Sequence, residues 1–253
     1  MSRRILAAAA LCVGAAVGMT VASSPASAAP TAGSVIMPNP HQLGLEVGAD
    51  PGLGLELSYG YRIADLVRHS SLVPTATFGF PIPGVADGRT FDASLGASWI
   101  IPFYRGVGGG VGMTATTAFF LSSAQTSNAN LVGLGVDVGV LPGYYHDKGF
   151  IALALGYRPT LTTSVIHRQL SHDTFTNRYP GSSATEEGPQ DGWYGLTGHS
   201  LRVGVEGGGT IAERVTLYAG GGLQASPSRL RLFYAPDVGI IPFYARAGVA
   251  THF

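Results

Sequence analysis

Cysteine is nearly absent from this sequence of 253 residues, since Cys12 is the only one. It lies in an apolar stretch near the N-terminus, and Leu11 before it is too large for the usual lipoprotein cleavage site. The rest of the chain therefore has no thiol and forms no disulfide. This excludes a small disulfide-linked scaffold and cysteine catalysis.

Charged residues are also scarce. Asp, Glu, Lys and Arg make up 12% of the chain, about half the fraction of a typical soluble domain. Lys148 is the only lysine, and no cluster of basic residues suggests nucleic-acid binding. Glycine is abundant, with 37 residues. Low charge and much glycine favour a protein surrounded by lipid rather than by water.

The N-terminal residues have the three parts of a secretory signal peptide. Arg3 and Arg4 form the charged start, 5–21 is the apolar core, and 26–28 is a small-residue cleavage site. We expect cleavage after Ala28. The exported chain then carries 13 basic and 15 acidic residues, a net charge of −2 with His neutral.

Long apolar runs are missing after the signal peptide. No segment has the roughly 18 consecutive apolar residues that a membrane-spanning helix needs. Only helices and closed barrels satisfy every backbone hydrogen bond inside a bilayer. If the exported chain crosses a membrane, it therefore crosses as a closed β-barrel.

Apolar residues instead alternate with polar residues or glycine, the period of a strand with two different faces. Ten segments show this period: 42–49, 53–62, 72–80, 91–99, 111–121, 132–140, 151–158, 201–208, 215–223 and 243–253. The predicted fold class is all-β, a closed antiparallel up-and-down transmembrane β-barrel of about ten strands, with eight or twelve as alternatives. The predicted domains are the signal peptide 1–28, an extended periplasmic lead 29–41 and the barrel 42–253.

The charged residues of these segments provide a test of the predicted faces. They fall opposite the apolar face, and we interpret eight of them as a charge network in the barrel lumen: Glu46, Glu56, Asp92, Asp137, Arg158, Arg202, Glu206 and Arg246. A basic residue facing lipid at mid-depth costs about 2–4 kcal/mol, and acids cost less. Because an unpaired buried charge is costly, we expect acids and bases to pair and to close the lumen.

Aromatic residues on the apolar face gather near both ends of the segments. Tyr59, Tyr61 and Trp99 lie near one end. Near the other end lie four phenylalanines: Phe78, Phe80, Phe91 and Phe119. Two such bands are typical of the interfacial girdles of a membrane barrel.

The lengths of the connections predict an orientation. The predicted turns 63–68, 102–108, 146–149 and 211–214 are short, whereas 159–200 and 226–242, on the other side, are long. Bacterial barrels have short periplasmic turns and longer extracellular loops. Both termini are therefore predicted to be periplasmic, and the long polar stretch 167–199 extracellular.

The last segment, Phe243 to Phe253, has an apolar face and ends on an aromatic residue. It resembles the final strand of Gram-negative outer-membrane β-barrels, and the whole chain is similar in architecture to small OmpA/OmpX-like barrels. This resemblance implies an outer-membrane location and contact with outer-membrane lipids and lipopolysaccharide. It also implies that Phe253 is an assembly signal for the barrel-insertion machinery.

Candidate chemistry is sparse. His199 and Ser200 are adjacent, but neighbours in a strand point to opposite faces and so form no catalytic dyad. His167, His172 and Asp173 lie in a polar stretch, and their spacing fits no standard metal site. We therefore predict no catalytic residue, no metal, no cofactor and no enzymatic activity.

Three kinds of function remain. The first is a monomeric outer-membrane barrel that is structural or presents surface loops, with a polar, plugged lumen. The alternative is a small pore or carrier for small or apolar solutes. A third possibility is an envelope enzyme that modifies lipid.

Overall fold

The computed structural model describes residues 40–49, 53–64, 66–67, 69–81, 91–106, 109–125, 129–146, 148–169, 191–225 and 243–253. The predicted signal peptide and all of the predicted lead except its last two residues lie outside these ranges. Within the described ranges, no helix is long and apolar enough to cross a membrane.

Ten antiparallel strands form one closed barrel, which confirms the predicted fold class. Neighbours along the chain are neighbours in the sheet, and β1 pairs with β10 to close it. The strands are β1 (His41–Ala49), β2 (Leu53–Tyr61), β3 (Ser71–Pro81), β4 (Phe91–Gly106), β5 (Gly109–Gln125), β6 (Ala129–His146), β7 (Gly149–His167), β8 (Gly192–Ala212), β9 (Val215–Ala225) and β10 (Phe243–His252).

The up-and-down order gives the barrel two distinct ends. The turn end holds His41, Phe253 and the short connections after β2, β4, β6 and β8. The loop end holds the connections after β1, β3, β5, β7 and β9. The two longest connections, 168–191 and 226–242, are both at the loop end.

Backbone hydrogen bonds close the seam between the first and last strands. The pairs run from Gln42 with His252 to Ala49 with Ala245. At the turn end, the His41 N–H donates to the Phe253 carbonyl at 3.2 Å, and the Phe253 N–H donates to the His41 carbonyl at 3.1 Å. The terminal residue therefore takes part in closing the barrel.

The strands β4 to β8 are longer than predicted. They have 16 to 21 residues, whereas β1, β2, β3, β9 and β10 have 9 to 11. The predicted turn 102–108 is wrong, since β4 continues to Gly106 and β5 begins at Gly109. The predicted connection 159–200 is also too long, because β7 and β8 leave only 168–191 between them.

Prolines and bulges explain these differences. Pro102, Pro142 and Pro159 interrupt the sequence pattern because proline cannot donate to a sheet ladder. Pro102 lies at a register shift in the β4–β5 ladder. Thr160 lies at register shifts with both neighbours of β7. Bulges accommodate an extra residue, so pairing continues beyond them.

The bulge in β7 also exchanges its faces. Before it, Ile151, Leu153 and Leu155 face outward; after it, Val165 and His167 are buried inside although their numbers are also odd. An extra residue, Leu161, makes this one-step change of alternation. Simple alternation therefore fails beyond Thr160.

Candidate functional site

The inner face of the barrel carries a belt of charge. All eight predicted lumen residues face inward, and their side chains are at most 11% exposed. Arg105 also lies on a strand, but it is exposed at the turn end, where it donates to the His69 carbonyl. The eight buried groups are five acids and three arginines.

One ion pair crosses the lumen. Arg158 on β7 contacts Asp92 on β4, and two strands, β5 and β6, lie between them in the sheet. The Arg158 guanidinium also lies 3.7 Å from the centre of the Phe120 ring on β5. This cation–π contact and the carboxylate hold the arginine across the interior.

Two further arginines join strands that are not neighbours. Arg202 on β8 donates to the Asp137 carboxylate on β6, with Nη2–Oδ2 at 3.1 Å. Arg246 on β10 contacts Glu206 on β8. Its Nη1 also lies 3.9 Å from Glu46 Oε1 on β1, the neighbouring strand across the seam. Together these contacts connect β6, β8, β10 and β1 through the interior.

Glu56 is the acid that these pairs leave over. It is 2% exposed, and none of the ion pairs among the described residues includes it. It lies directly opposite Glu46 in the β1–β2 ladder. The network therefore contains two facing carboxylates and an excess of negative charge.

An apolar cluster fills the lumen below the charges, at the turn end. Leu141, Phe150, Ala152, Tyr218 and Ala250 are buried together, with Tyr145 packed against them. The Tyr145 and Phe150 rings stack, with centroids 6.1 Å apart. This cluster was not predicted from the sequence, although Phe150 shares the inward parity of Ala152. The lumen therefore contains an apolar layer towards the turn end besides its charged middle part.

A small cavity lies between these groups. This cavity of about 30 Å³ lies beside the ion pairs, lined in part by Asp137, Arg202, Glu206, Tyr244 and Arg246. A cavity of this size holds one or two water molecules.

A cluster of aromatic residues lies at the turn end of the seam between β1 and β10. The His41 ring stacks on Phe253, with centroids 5.5 Å apart, and lies 5.1 Å from Tyr61. His41 Nδ1 is also 2.8 Å from the Tyr59 hydroxyl. The two predicted girdle tyrosines thus contact His41, which in turn stacks on Phe253.

The other candidate residues do not form a catalytic site. His199 is exposed on the outer face of β8, where it bonds the Tyr157 hydroxyl at 2.8 Å, while Ser200 is on the inner face. His167 bonds Asp191 at 2.9 Å. His172 and Asp173 lie outside the described residues. Over the described part of the chain, no group of three or more His, Cys, Asp or Glu is placed to hold a metal ion.

Comparison with known proteins adds little. No family model and no curated protein matches this chain. The chain is similar to a solved structure described as "KdgM porin", with a TM-score of 0.33 and 10% identity over 84% of this chain and 99% of that one. A structural similarity this weak does not identify a function, and the barrel's own side chains are the basis for one.

Proposed function

We propose that this protein is an integral outer-membrane β-barrel whose lumen is closed by its own side chains. Its role is then structural, or it presents the connection between β7 and β8 at the cell surface. The ion pair between Arg158 and Asp92 is the observation that carries this proposal, because it joins separated strands across the interior.

The outer face supports a membrane location. In the described strands, the charged side chains face the lumen, apart from Arg105, which is exposed at the turn end. Large apolar side chains are instead exposed on the outer face, among them Leu95 at 69%, Phe119 at 73% and Leu223 at 57%. An apolar surface of this extent is an aggregation liability in water, whereas a bilayer solvates it. The shorter strands, of 9 to 11 residues, have the length of a membrane-spanning strand.

The interior supports a closed barrel. Eight strands enclose an interior that side chains can fill, while water-filled porins use about 16–18 strands. Ten strands are close to the first case. Here the ion pairs occupy the middle of the lumen, and the apolar cluster around Phe150 occupies the turn end. A solute would have to displace both layers.

The connections support an orientation. Bacterial barrels keep short turns in the periplasm and longer loops outside. We therefore assign the turn end, with both termini, to the periplasm, and 168–191 to the cell surface. Outer-membrane lipids and lipopolysaccharide would contact the outer face, Phe253 would serve the barrel-insertion machinery, and we expect a monomer.

A narrow pore is the second candidate, and the excess of inward carboxylates favours it. Five acids against three arginines would prefer cations in any open passage. Liposomes containing the purified protein would be placed in isotonic solutions of small sugars and amino acids. The closed barrel predicts no more swelling than empty liposomes show. Swelling that falls with solute size would support the pore instead.

A further inference from the structure

Glu56 is a buried acid with no cation of its own. Its Oε1 has no hydrogen-bond partner among the described residues. The nearby arginines are engaged elsewhere, since Arg158 contacts Asp92 and Arg246 contacts Glu206. Taking a carboxylate out of water without a partner is costly. A further positive group at this position would remove that cost.

Glu46 makes the local charge more negative. It is the direct cross-strand partner of Glu56, and residues so placed have Cβ atoms about 4.5–5.5 Å apart. Like charges in this position repel. Arg246 offsets this only in part, because its 3.9 Å approach to Glu46 is at the limit of an ion pair and it is shared with Glu206. Glu46 Oε2 has no hydrogen-bond partner in the described part of the chain.

The Tyr218 hydroxyl is an independent third oxygen beside these acids. The Tyr218 side chain is buried, with 5% of its surface exposed. On the neighbouring strand it pairs with Gly248, and Gly248 pairs with Glu46 on the other side. A Cβ atom at Gly248 would overlap the Tyr218 hydroxyl, so the phenol lies over this glycine and beside Glu46. The hydroxyl lies close enough to the Glu46 carboxylate to interact with it, and it has no other hydrogen-bond partner among the described residues. A buried hydroxyl oxygen thus lies beside the Glu46 carboxylate and is shared with no other described group.

We infer that Glu46, Glu56 and Tyr218 form a binding site for one small divalent cation in the lumen, with Ca²⁺ as the probe. Carboxylate and other oxygen ligands are those that hard cations such as Ca²⁺ prefer. The eight lumen charges sum to −2, which one divalent ion would neutralise. The inference rests on the inward side chains and is independent of whether the lumen conducts.

The test measures thermal unfolding of the purified, folded protein in detergent, first in EDTA and then with increasing CaCl₂ at constant ionic strength. A ligand that binds only the folded state raises the midpoint with concentration. We expect this rise, and one Ca²⁺ per chain by calorimetry. Glu56→Gln should weaken Ca²⁺ binding at least tenfold while raising the midpoint in EDTA, because it removes the repulsion with Glu46.

The control is Glu213→Gln, which removes an exposed acid in the turn between β8 and β9; it should keep the Ca²⁺ response unchanged. Absence of any Ca²⁺ response in the unmodified protein would overturn the inference. A response that survives in both Glu46→Gln and Glu56→Gln would also overturn it, since the ion would then bind elsewhere. If Na⁺ raised the unfolding midpoint as much as Ca²⁺ does at the same concentration, the site would not be specific for a divalent cation and the inference would be refuted.

Discussion

Arg158 on β7 makes an ion pair with Asp92 on β4. The pair spans the lumen, because β4 and β7 are not adjacent in the sheet. Removing Asp92 alone leaves a buried guanidinium without its carboxylate. Breaking a buried pair in this way costs about 3–5 kcal/mol. Asp92→Ala should therefore lower the free energy of unfolding by about that amount in urea titrations of the refolded barrel.

The double variant Asp92→Ala/Arg158→Ala is the matched control for this pair. It removes both charges, so its destabilisation should be clearly smaller than the sum of the two single changes. Additive effects would mean that the two groups do not interact in the folded barrel.

A second prediction concerns the outer face of β8. Val203 faces outward between Leu155 and Leu223, well away from both strand ends. An arginine there would meet lipid at mid-depth, so Val203→Arg should cost about 2–4 kcal/mol of stability in bilayers. The comparison is Ile211→Arg, near the turn end, where the cost should fall to about 0–1 kcal/mol. Equal costs at the two positions would refute the assigned membrane depth.

A third prediction concerns the seam. Deleting Phe253 removes two backbone hydrogen bonds to His41 and the stacked ring. We expect less of the folded, heat-modifiable form in outer membranes. Phe253→Ala keeps the backbone and should have a smaller effect, and Phe243→Ala, at the other end of β10, should have none. If the barrel assembled normally after the deletion, the proposed role of Phe253 in assembly would be contradicted.

The fourth prediction tests the orientation of the barrel. Cysteine introduced at Gln169, at the loop end, should react with a membrane-impermeant maleimide on intact cells. Cysteine at Glu213, at the turn end, should react only after the outer membrane is opened. Both residues are exposed, so a difference in labelling reports the side of the membrane on which each residue lies and not its burial. The reverse pattern would invert the proposed topology.

Alternation predicted which face of each strand is apolar, and this is why the fold could be predicted. The period is physically forced, since a charge such as Glu56 cannot face lipid cheaply. The lengths of β4 to β8 could not be predicted, because Pro102 and Pro159 resemble strand breakers and the bulge at Thr160 exchanges the faces.

The contacts inside the lumen were predictable only in kind. The sequence indicated that Arg158, Arg202 and Arg246 face inward, but not which acid each one reaches. That choice depends on how the closed barrel brings separated strands together, as with Arg202 and Asp137. The apolar cluster around Phe150 was not predicted, because the predicted segment starts at residue 151. Phe150 lies one residue before that start.

Single-channel current across a planar bilayer tests the closed lumen most directly. The unmodified protein should show no wide, steady open level, because the Arg158–Asp92 pair and the cluster around Phe150 block the same passage. Arg158→Ala should raise ion leakage by removing the side chain that crosses the lumen. A large, stable conductance in the unmodified protein would contradict the account and establish a pore.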